Sequence, residues 1–177
     1  MTIPGTECMR EDDCDRSPFF LIYTRKSIAM LYIQPIPFNP YEPISHYYRV
    51  GDMVCNRDAY NHRIMEQYVF DPIVMRSMKM LATSVLDILC DKVGDKIFIE
   101  KGYLCPRLAT VHEGGGVIYR NGNGALLRPK NGQDYETIWN TIKGMEFNLA
   151  VSYPRFVYVN VKEAFNQRRA ILHNYKY

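Results

Sequence analysis

The sequence predicts an α+β fold in which an antiparallel sheet, open or barrel-like, packs on one long central helix with two shorter helices nearby. A long amphipathic helix lies in the middle of the chain, and short segments with strand patterns lie on both sides of it. Aromatic residues are abundant, with 14 Tyr and 8 Phe beside 1 Trp. Aromatic side chains favour strands. Because an apolar helix face must be covered, we expect the sheet to pack against it.

The long helix is predicted over 71–94. Asp71 is a suitable N-cap, and Pro72 fits the first helical position, where a missing N–H costs nothing. Gly94 supplies the left-handed residue that commonly ends a helix. Apolar residues recur between them at intervals of three and four, which places them on one face. The apolar face consists of Val74, Met78, Leu81, Val85 and Leu89.

The chain before this helix is predicted to be mostly extended. Residues 19–33 form one long strand or two strands joined by a tight turn. The prolines of 35–43 exclude helix and favour an extended surface connection. Residues 46–55 have a strand pattern with a bulge or turn at Gly51. Residues 56–70 contain a short helical turn.

After the helix, the sequence predicts strands at 96–103 and 107–112. Residues 117–127 form a predicted hairpin, because the Asn-Gly dipeptides inside this segment accept the positive φ of tight turns. A second helix covers 134–143, with Asp134 as its cap and Gly144 as its end.

The final part of the chain is predicted to hold an antiparallel strand pair and a closing helix. Residues 145–151 alternate apolar and polar, the pattern of a half-buried strand, and 156–161 return as its partner. The closing helix is predicted over 161–173, with Asn160 as its cap and Glu163 reaching back to it.

The domain organisation is predicted to be simple. Residues 1–17 carry few large apolar side chains and a run of acids, so we expect a mobile acidic tail. Residues 18–177 then form a single domain, since a chain of 177 residues with 47% hydrophobic content can bury one proper core.

The composition favours a soluble intracellular protein, in the cytoplasm or the nucleus. No apolar run is long enough to span a bilayer, and the acidic N-terminus lacks the basic-then-apolar order of a signal peptide. The 5 cysteines are scattered without a CxxC pair, which fits buried thiols in a reducing compartment. We expect no metal and no cofactor, because no ligand spacing is present.

No motif indicates catalysis. The glycines of 114–124 fit neither a dinucleotide-binding loop nor a P-loop, and they lead into a predicted strand. His112 with Glu113 lacks the second histidine of a zinc protease motif. We therefore expect a binding protein and not an enzyme; a hydrolase without a recognisable motif is the less favoured alternative.

Basic and aromatic residues indicate contact with single-stranded nucleic acid, since rings stack on bases and cations neutralise phosphates. The predicted contact residues are Tyr119, Arg120, Arg128, Lys130, Arg155, Arg168 and Arg169. Tyr158 belongs to the same group of rings. The alternative is that Tyr119 and Tyr158 point inward and the arginines only solvate an edge.

A second hypothesis is a self-associating or adaptor protein, comparable in architecture to matrix and capsid proteins, that does not contact nucleic acid. The basic, aromatic end of the chain would then meet a protein partner or a second copy. The predicted partner contacts are Phe165, Leu172 and Tyr175.

Overall fold

A five-stranded open sheet packed with helices forms the body of the protein, and the predicted α+β class is confirmed. The computed structural model describes residues 38–111, 116–130, 134–162 and 170–172. The predicted tail at 1–17 and the predicted strands at 19–33 lie outside these residues. The strands are β1 (Phe98–Lys101), β2 (Gly124–Arg128), β3 (Leu149–Ser152), β4 (Val157–Asn160) and β5 (Ala170–Leu172).

The sheet is mixed, whereas an antiparallel sheet was predicted. Its strand order is β1-β2-β4-β3-β5, and the first three neighbouring pairs are antiparallel. β5 pairs with β3 on the side opposite β4, and these two strands run parallel. The sheet is not closed into a barrel, and among the described strands β1 and β5 are the outermost.

The long helix, α3, spans 72–93 as predicted. Asp71 caps it by accepting a hydrogen bond from Ile73 N at 2.7 Å, and Gly94 ends it with φ +80°. The predicted apolar face is turned inward: Met78, Leu81, Val85 and Leu89 are 0% exposed, and Val74 packs against the core.

A π-helical segment, Ala82–Leu86, interrupts the α-helical geometry of α3. Thr83 Oγ1 donates to Lys79 O at 2.9 Å, and Ser84 Oγ donates to Met80 O at 2.6 Å. Hydroxyl groups that bond to the preceding turn compete with the backbone donors for the same carbonyls. This competition accounts for the wider turn at this position.

The short helices correct two strand predictions. Residues 46–55 contain a helix, α1 (Val50–Val54), because Val50, Met53 and Val54 share one buried side. Residues 107–112 overlap α4 (Pro106–Val111), in which the proline occupies the first helical position. The helical turn predicted within 56–70 is present as α2 (Arg57–Asn61) and a 3-10 turn (Met65–Tyr68).

The predicted hairpin at 117–127 is only half correct. Its second limb is β2, but Gly116–Tyr119 forms a 3-10 turn. Tyr119 O accepts hydrogen bonds from Gly122 N and from Leu104 N, both at 3.3 Å. The first limb is therefore bonded to the chain that follows β1 and does not pair with β2.

The predicted closing helix at 161–173 is also wrong where the structure describes it. Residues 161–162 are not helical, and Ala170–Leu172 form β5; 163–169 lie outside the described residues. Asn160, the predicted cap, lies in β4 instead. Its Oδ1 accepts from Asn148 Nδ2 at 2.9 Å, so the cap side chain is already engaged across the sheet.

The second predicted helix and the strand pair after it are confirmed. α5 (Tyr135–Lys143) begins at Asp134, which accepts from Thr137 N at 3.0 Å, and its apolar side is buried. β3 and β4 pair antiparallel, although β3 begins four residues later than the predicted strand. In the part of the chain that is described, no helix combines the length and apolarity needed to cross a membrane.

Gln67 is a fully buried polar side chain that joins three segments. Its Nε2 donates to Val54 O at 2.8 Å and to Tyr103 O at 2.7 Å, and its Oε1 accepts from Cys105 N at 2.8 Å. Buried backbone groups need such partners, because water cannot reach them. One amide therefore fixes α1 and the segment after β1 to the chain that leads into α3.

We expect Gln67→Leu to lower the free energy of unfolding by about 3 kcal/mol or more, because three buried backbone groups lose their partner at roughly 1–3 kcal/mol each. Urea denaturation measures this change. Asn140→Leu is the matched control, since Asn140 is exposed on α5, and it should shift stability by no more than about 0.5 kcal/mol. Equal stability of the two variants would contradict the role given to Gln67.

Candidate nucleic-acid interface

Three of the predicted basic residues lie at one end of the sheet. Arg128, the last residue of β2, is paired with Phe98, the first residue of β1. β4 begins at the same level with Val157, which pairs with β2. Lys130 follows β2 by two residues, and Arg155 precedes β4 by two. Phe98, Arg128, Lys130 and Arg155 are together called the basic end.

Tyr119 and Arg120 lie at the opposite end of β2. Tyr119 is 2% exposed, and its ring packs edge to face on Tyr158, which is 1% exposed, with 5.5 Å between the ring centroids. Burial raises the pKa of Tyr158 to about 12. Neither ring presents a face on which a base could stack. Both tyrosines therefore point inward, as the alternative interpretation of the sequence predicted. Arg120 is half-buried beside them.

The remaining predicted contacts are divided between the described and undescribed parts of the chain. Arg168, Arg169, Phe165 and Tyr175 lie outside the described residues. Leu172 lies in β5, the outermost described strand on its side of the sheet, and is 42% exposed. Of the predicted partner contacts, Leu172 is therefore the one whose exposure the structure describes.

Phe98 is the exposed aromatic side chain of the basic end, and the sequence analysis missed it. Its ring is 48% exposed, and the guanidinium carbon of Arg128 lies 4.7 Å from the ring centroid, a cation–π geometry. The signal was present in the alternation of β1, where Ile99 is buried between exposed Phe98 and Glu100. Strand parity places Phe98 and Glu100 on the outer face.

Two acidic residues neutralise part of the basic end. Arg128 Nε lies 3.1 Å from Glu100 Oε2, and Lys130 Nζ lies 3.7 Å from Asp95 Oδ1. All four side chains are at least one third exposed. Such surface pairs are worth at most about 1 kcal/mol and are screened by salt. An anionic ligand can therefore displace the carboxylates.

A cleft lies next to the basic end. It has a volume of about 590 Å³ and is lined by most residues of the segment 40–49, by Gly51 and Asp52, and by Lys96. Lys96 Nζ lies 2.9 Å from Asp52 Oδ2 and 5.0 Å from the centroid of the Tyr48 ring. A smaller cavity of about 220 Å³ extends from the same Asp52 and Lys96 to the basic end. We call the larger cavity the Arg49 cleft, after the exposed arginine in its wall.

One wall of the Arg49 cleft is held by the polar side of α3. The Asp87 carboxylate accepts from Ser45 Oγ at 2.8 Å, His46 N at 3.0 Å and Tyr47 N at 3.3 Å. The Tyr47 hydroxyl donates to Asp91 at 2.8 Å, and this hydrogen bond raises the pKa of Tyr47. The turn at 45–48 is therefore fixed to the helix.

The other side of this wall is held by α1. Gly51 N donates to Pro40 O, and Val50 N donates to Glu42 O, both at 2.9 Å. A Cβ atom at Gly51 would lie 2.9 Å from Pro40 O, which is closer than real Cβ atoms come. Glycine is needed here because the two backbones approach so closely.

The basic end and the Arg49 cleft both expose cationic and aromatic side chains. Cys55 lies in the wall of a neighbouring cavity, but burial raises its pKa, so it is a thiol and a weak nucleophile at neutral pH. Within the described residues, no group of three or more His, Cys, Asp or Glu side chains could hold a metal ion.

No protein-family model matches this chain, and no curated protein or solved structure is significantly similar to it.

Asp87→Ala is expected to release the turn at 45–48, because two backbone N–H groups and one hydroxyl lose their acceptor. Amide hydrogen exchange at His46 and Tyr47 should become about tenfold faster, which corresponds to the loss of roughly one hydrogen bond each. Asp91→Ala is the control: it removes only the bond to the Tyr47 hydroxyl and should leave the His46 amide protected. Unchanged exchange at His46 in Asp87→Ala would contradict the assignment.

Proposed function

We propose that this protein is a non-enzymatic binding protein that holds single-stranded nucleic acid at the basic end of its sheet. The observation that supports this most strongly is the position of Phe98. Its exposed ring lies at the start of β1, with the guanidinium of Arg128 above it and Lys130 nearby. An exposed ring among cations is the arrangement that sequence-tolerant single-strand binders use.

The ring and the cations contact different parts of the nucleic acid. Phe98 stacks on one base, and such a stack contributes about 1–3 kcal/mol whichever base is present. Arg128, Lys130 and Arg155 neutralise phosphates and release the counterions bound to them. A phosphate replaces Glu100 and Asp95 as the partner of these cations. Breaking the two exposed ion pairs costs little free energy.

The modest charge of the protein makes the ring necessary. A net charge of +3 over 177 residues is too small for attraction by charge alone. With three phosphate contacts, the slope of log affinity against log salt is about −2. We therefore expect the affinity to fall with salt, but less steeply than the affinity of strongly basic proteins does.

We expect the wild-type protein to bind a labelled oligothymidylate of about 16 nucleotides at low salt, measured by fluorescence anisotropy; single-strand sites on small domains reach about this length. Phe98→Ala should raise the Kd by about 5- to 150-fold, because the stack of about 1–3 kcal/mol is lost. Arg128→Gln should reduce the magnitude of the salt slope by about 0.7, the value for one phosphate on a single strand.

Arg107→Gln is the control for these variants. Arg107 is exposed in α4, which follows the far end of β1, and pairs with Glu66 at 3.0 Å. Replacing Arg107 should leave the affinity for the oligothymidylate nearly unchanged. If the wild-type protein does not bind at low salt, or if Phe98→Ala binds as well as Arg107→Gln, the proposed function is wrong.

A second function, self-association or adaptor binding, is favoured by an exposed apolar segment. Met65, Val69 and Ile73 are 68%, 55% and 67% exposed and follow one another at intervals of four residues. Three large apolar side chains exposed within nine residues of the chain can contribute to a protein–protein contact site. Leu172, which is 42% exposed on β5, the outermost described strand on its side of the sheet, offers a further surface for a partner.

For this second function, we expect the molar mass measured by light scattering to rise with protein concentration. Met65→Glu combined with Ile73→Glu should shift the protein to the monomer, because burying a carboxylate in an apolar contact is unfavourable. Ile88→Glu is the control, since Ile88 is 42% exposed and lies on α3 about 22 Å along the helix from Ile73. A wild-type protein that stays monomeric at every concentration would exclude self-association.

A further inference from the structure

We propose that the Arg49 cleft is a separate site for a small phosphorylated ring compound, of which a nucleoside monophosphate is the simplest example. The cleft has a volume of about 590 Å³, within the range of roughly 300–1,000 Å³ that small-ligand sites occupy. It does not include Phe98, Arg128, Lys130 or Arg155. The proposal therefore goes beyond nucleic-acid binding at the basic end and does not depend on it.

The charge in the cleft favours an anion. Asp52 Oδ2 already accepts from Lys96 Nζ at 2.9 Å and from Arg49 N at 2.8 Å, so this carboxylate is neutralised. The guanidinium of exposed Arg49 forms no ion pair and no hydrogen bond with any residue that the structure describes. It is available to a ligand, and a guanidinium matches the geometry of a phosphate with two parallel hydrogen bonds.

The other acids near the cleft are also engaged. Asp87 accepts three hydrogen bonds from the turn at 45–48, and Asp91 accepts one from the Tyr47 hydroxyl. Glu42 lies 3.5 Å from Lys79 Nζ. Each of these carboxylates is held by donors other than Arg49, so none of them forms an ion pair with the Arg49 guanidinium.

The ring component of the ligand is indicated by Tyr41. Its side chain is 74% exposed and lies in the wall of the cleft. Pro40 and Pro43 flank it and fix two φ angles of the loop, and Tyr41 N is bonded to Asn39 Oδ1 at 3.1 Å. A ring held on a rigid loop beside an arginine can stack on the base or other ring of a phosphorylated ligand.

The cleft is built before a ligand arrives. Its wall is fixed to α1 by the backbone bonds of Pro40 and Glu42 and to α3 by Asp87. A site that is already ordered loses little conformational entropy on binding. Weak ligands of low molecular weight can therefore be bound measurably.

Isothermal titration of the full chain with adenosine 5′-monophosphate, adenosine and inorganic phosphate tests the proposal. We expect the monophosphate to bind more tightly than either fragment. Arg49→Gln should weaken its binding about tenfold or more, the effect of losing a charge-assisted contact. Tyr41→Ala should weaken the binding of the monophosphate and leave the binding of inorganic phosphate unchanged. Arg107→Gln is the control and should bind like the wild type, and thermal unfolding checks that all variants are folded.

Several results would overturn the proposal. One is a wild-type protein that does not bind the monophosphate, and another is binding that Arg49→Gln and Tyr41→Ala leave unchanged. Equal affinity for phosphate and the monophosphate would exclude the ring contact. Phe98→Ala separates this site from the basic end: it should bind the monophosphate like the wild type while losing the oligonucleotide, and loss of both ligands would place the monophosphate at the basic end instead.

Discussion

Burial of one face of α3 is the constraint on which the rest of the structure depends. The face that carries Met78, Leu81, Val85 and Leu89 is inaccessible to water, and apolar surface of this size has to be covered for the chain to fold. Once that face is turned to the core, the opposite side is exposed and its polar residues are free to bind other segments. Asp87 and Asp91 do so by holding the turn at 45–48.

Tyr48 connects the helix to both candidate sites. Its hydroxyl donates to Ile97 O at 2.8 Å and lies 3.2 Å from Cys90 Sγ on α3. Ile97 directly precedes Phe98, and the Tyr48 ring lies below Lys96 in the wall of the Arg49 cleft. Desolvation raises the pKa of Tyr48, so the hydroxyl keeps its proton and remains a donor. The start of β1 and the cleft are thus positioned by the same buried side chain.

The sequence predicted the elements whose signals are local. The cap at Asp71, the end at Gly94 and the apolar spacing between them lie within one segment, and the same holds for α5. Burial of Tyr119 depends on Tyr158, and the Arg49 cleft depends on contacts between residues about 40 positions apart, such as Ser45 with Asp87. Spacing along the chain carries no signal for such contacts. Exposure of Phe98 was predictable from strand parity, because its pattern is local.

The two candidate sites differ in how their acids are held. In the Arg49 cleft, Asp52 is bound at 2.9 Å by a lysine that is 39% exposed and by a backbone N–H, so it stays with its partners when an anion binds to Arg49. At the basic end, Asp95 lies 3.7 Å from Lys130 and both side chains are more than half exposed. Salt screens exposed charges much more than partly buried ones. A polymer bound along the outer face and a small ligand bound in the cleft would therefore respond differently to ionic strength. At the basic end the ligand competes with Glu100 and Asp95 for the cations, whereas Asp52 in the cleft is already paired with Lys96.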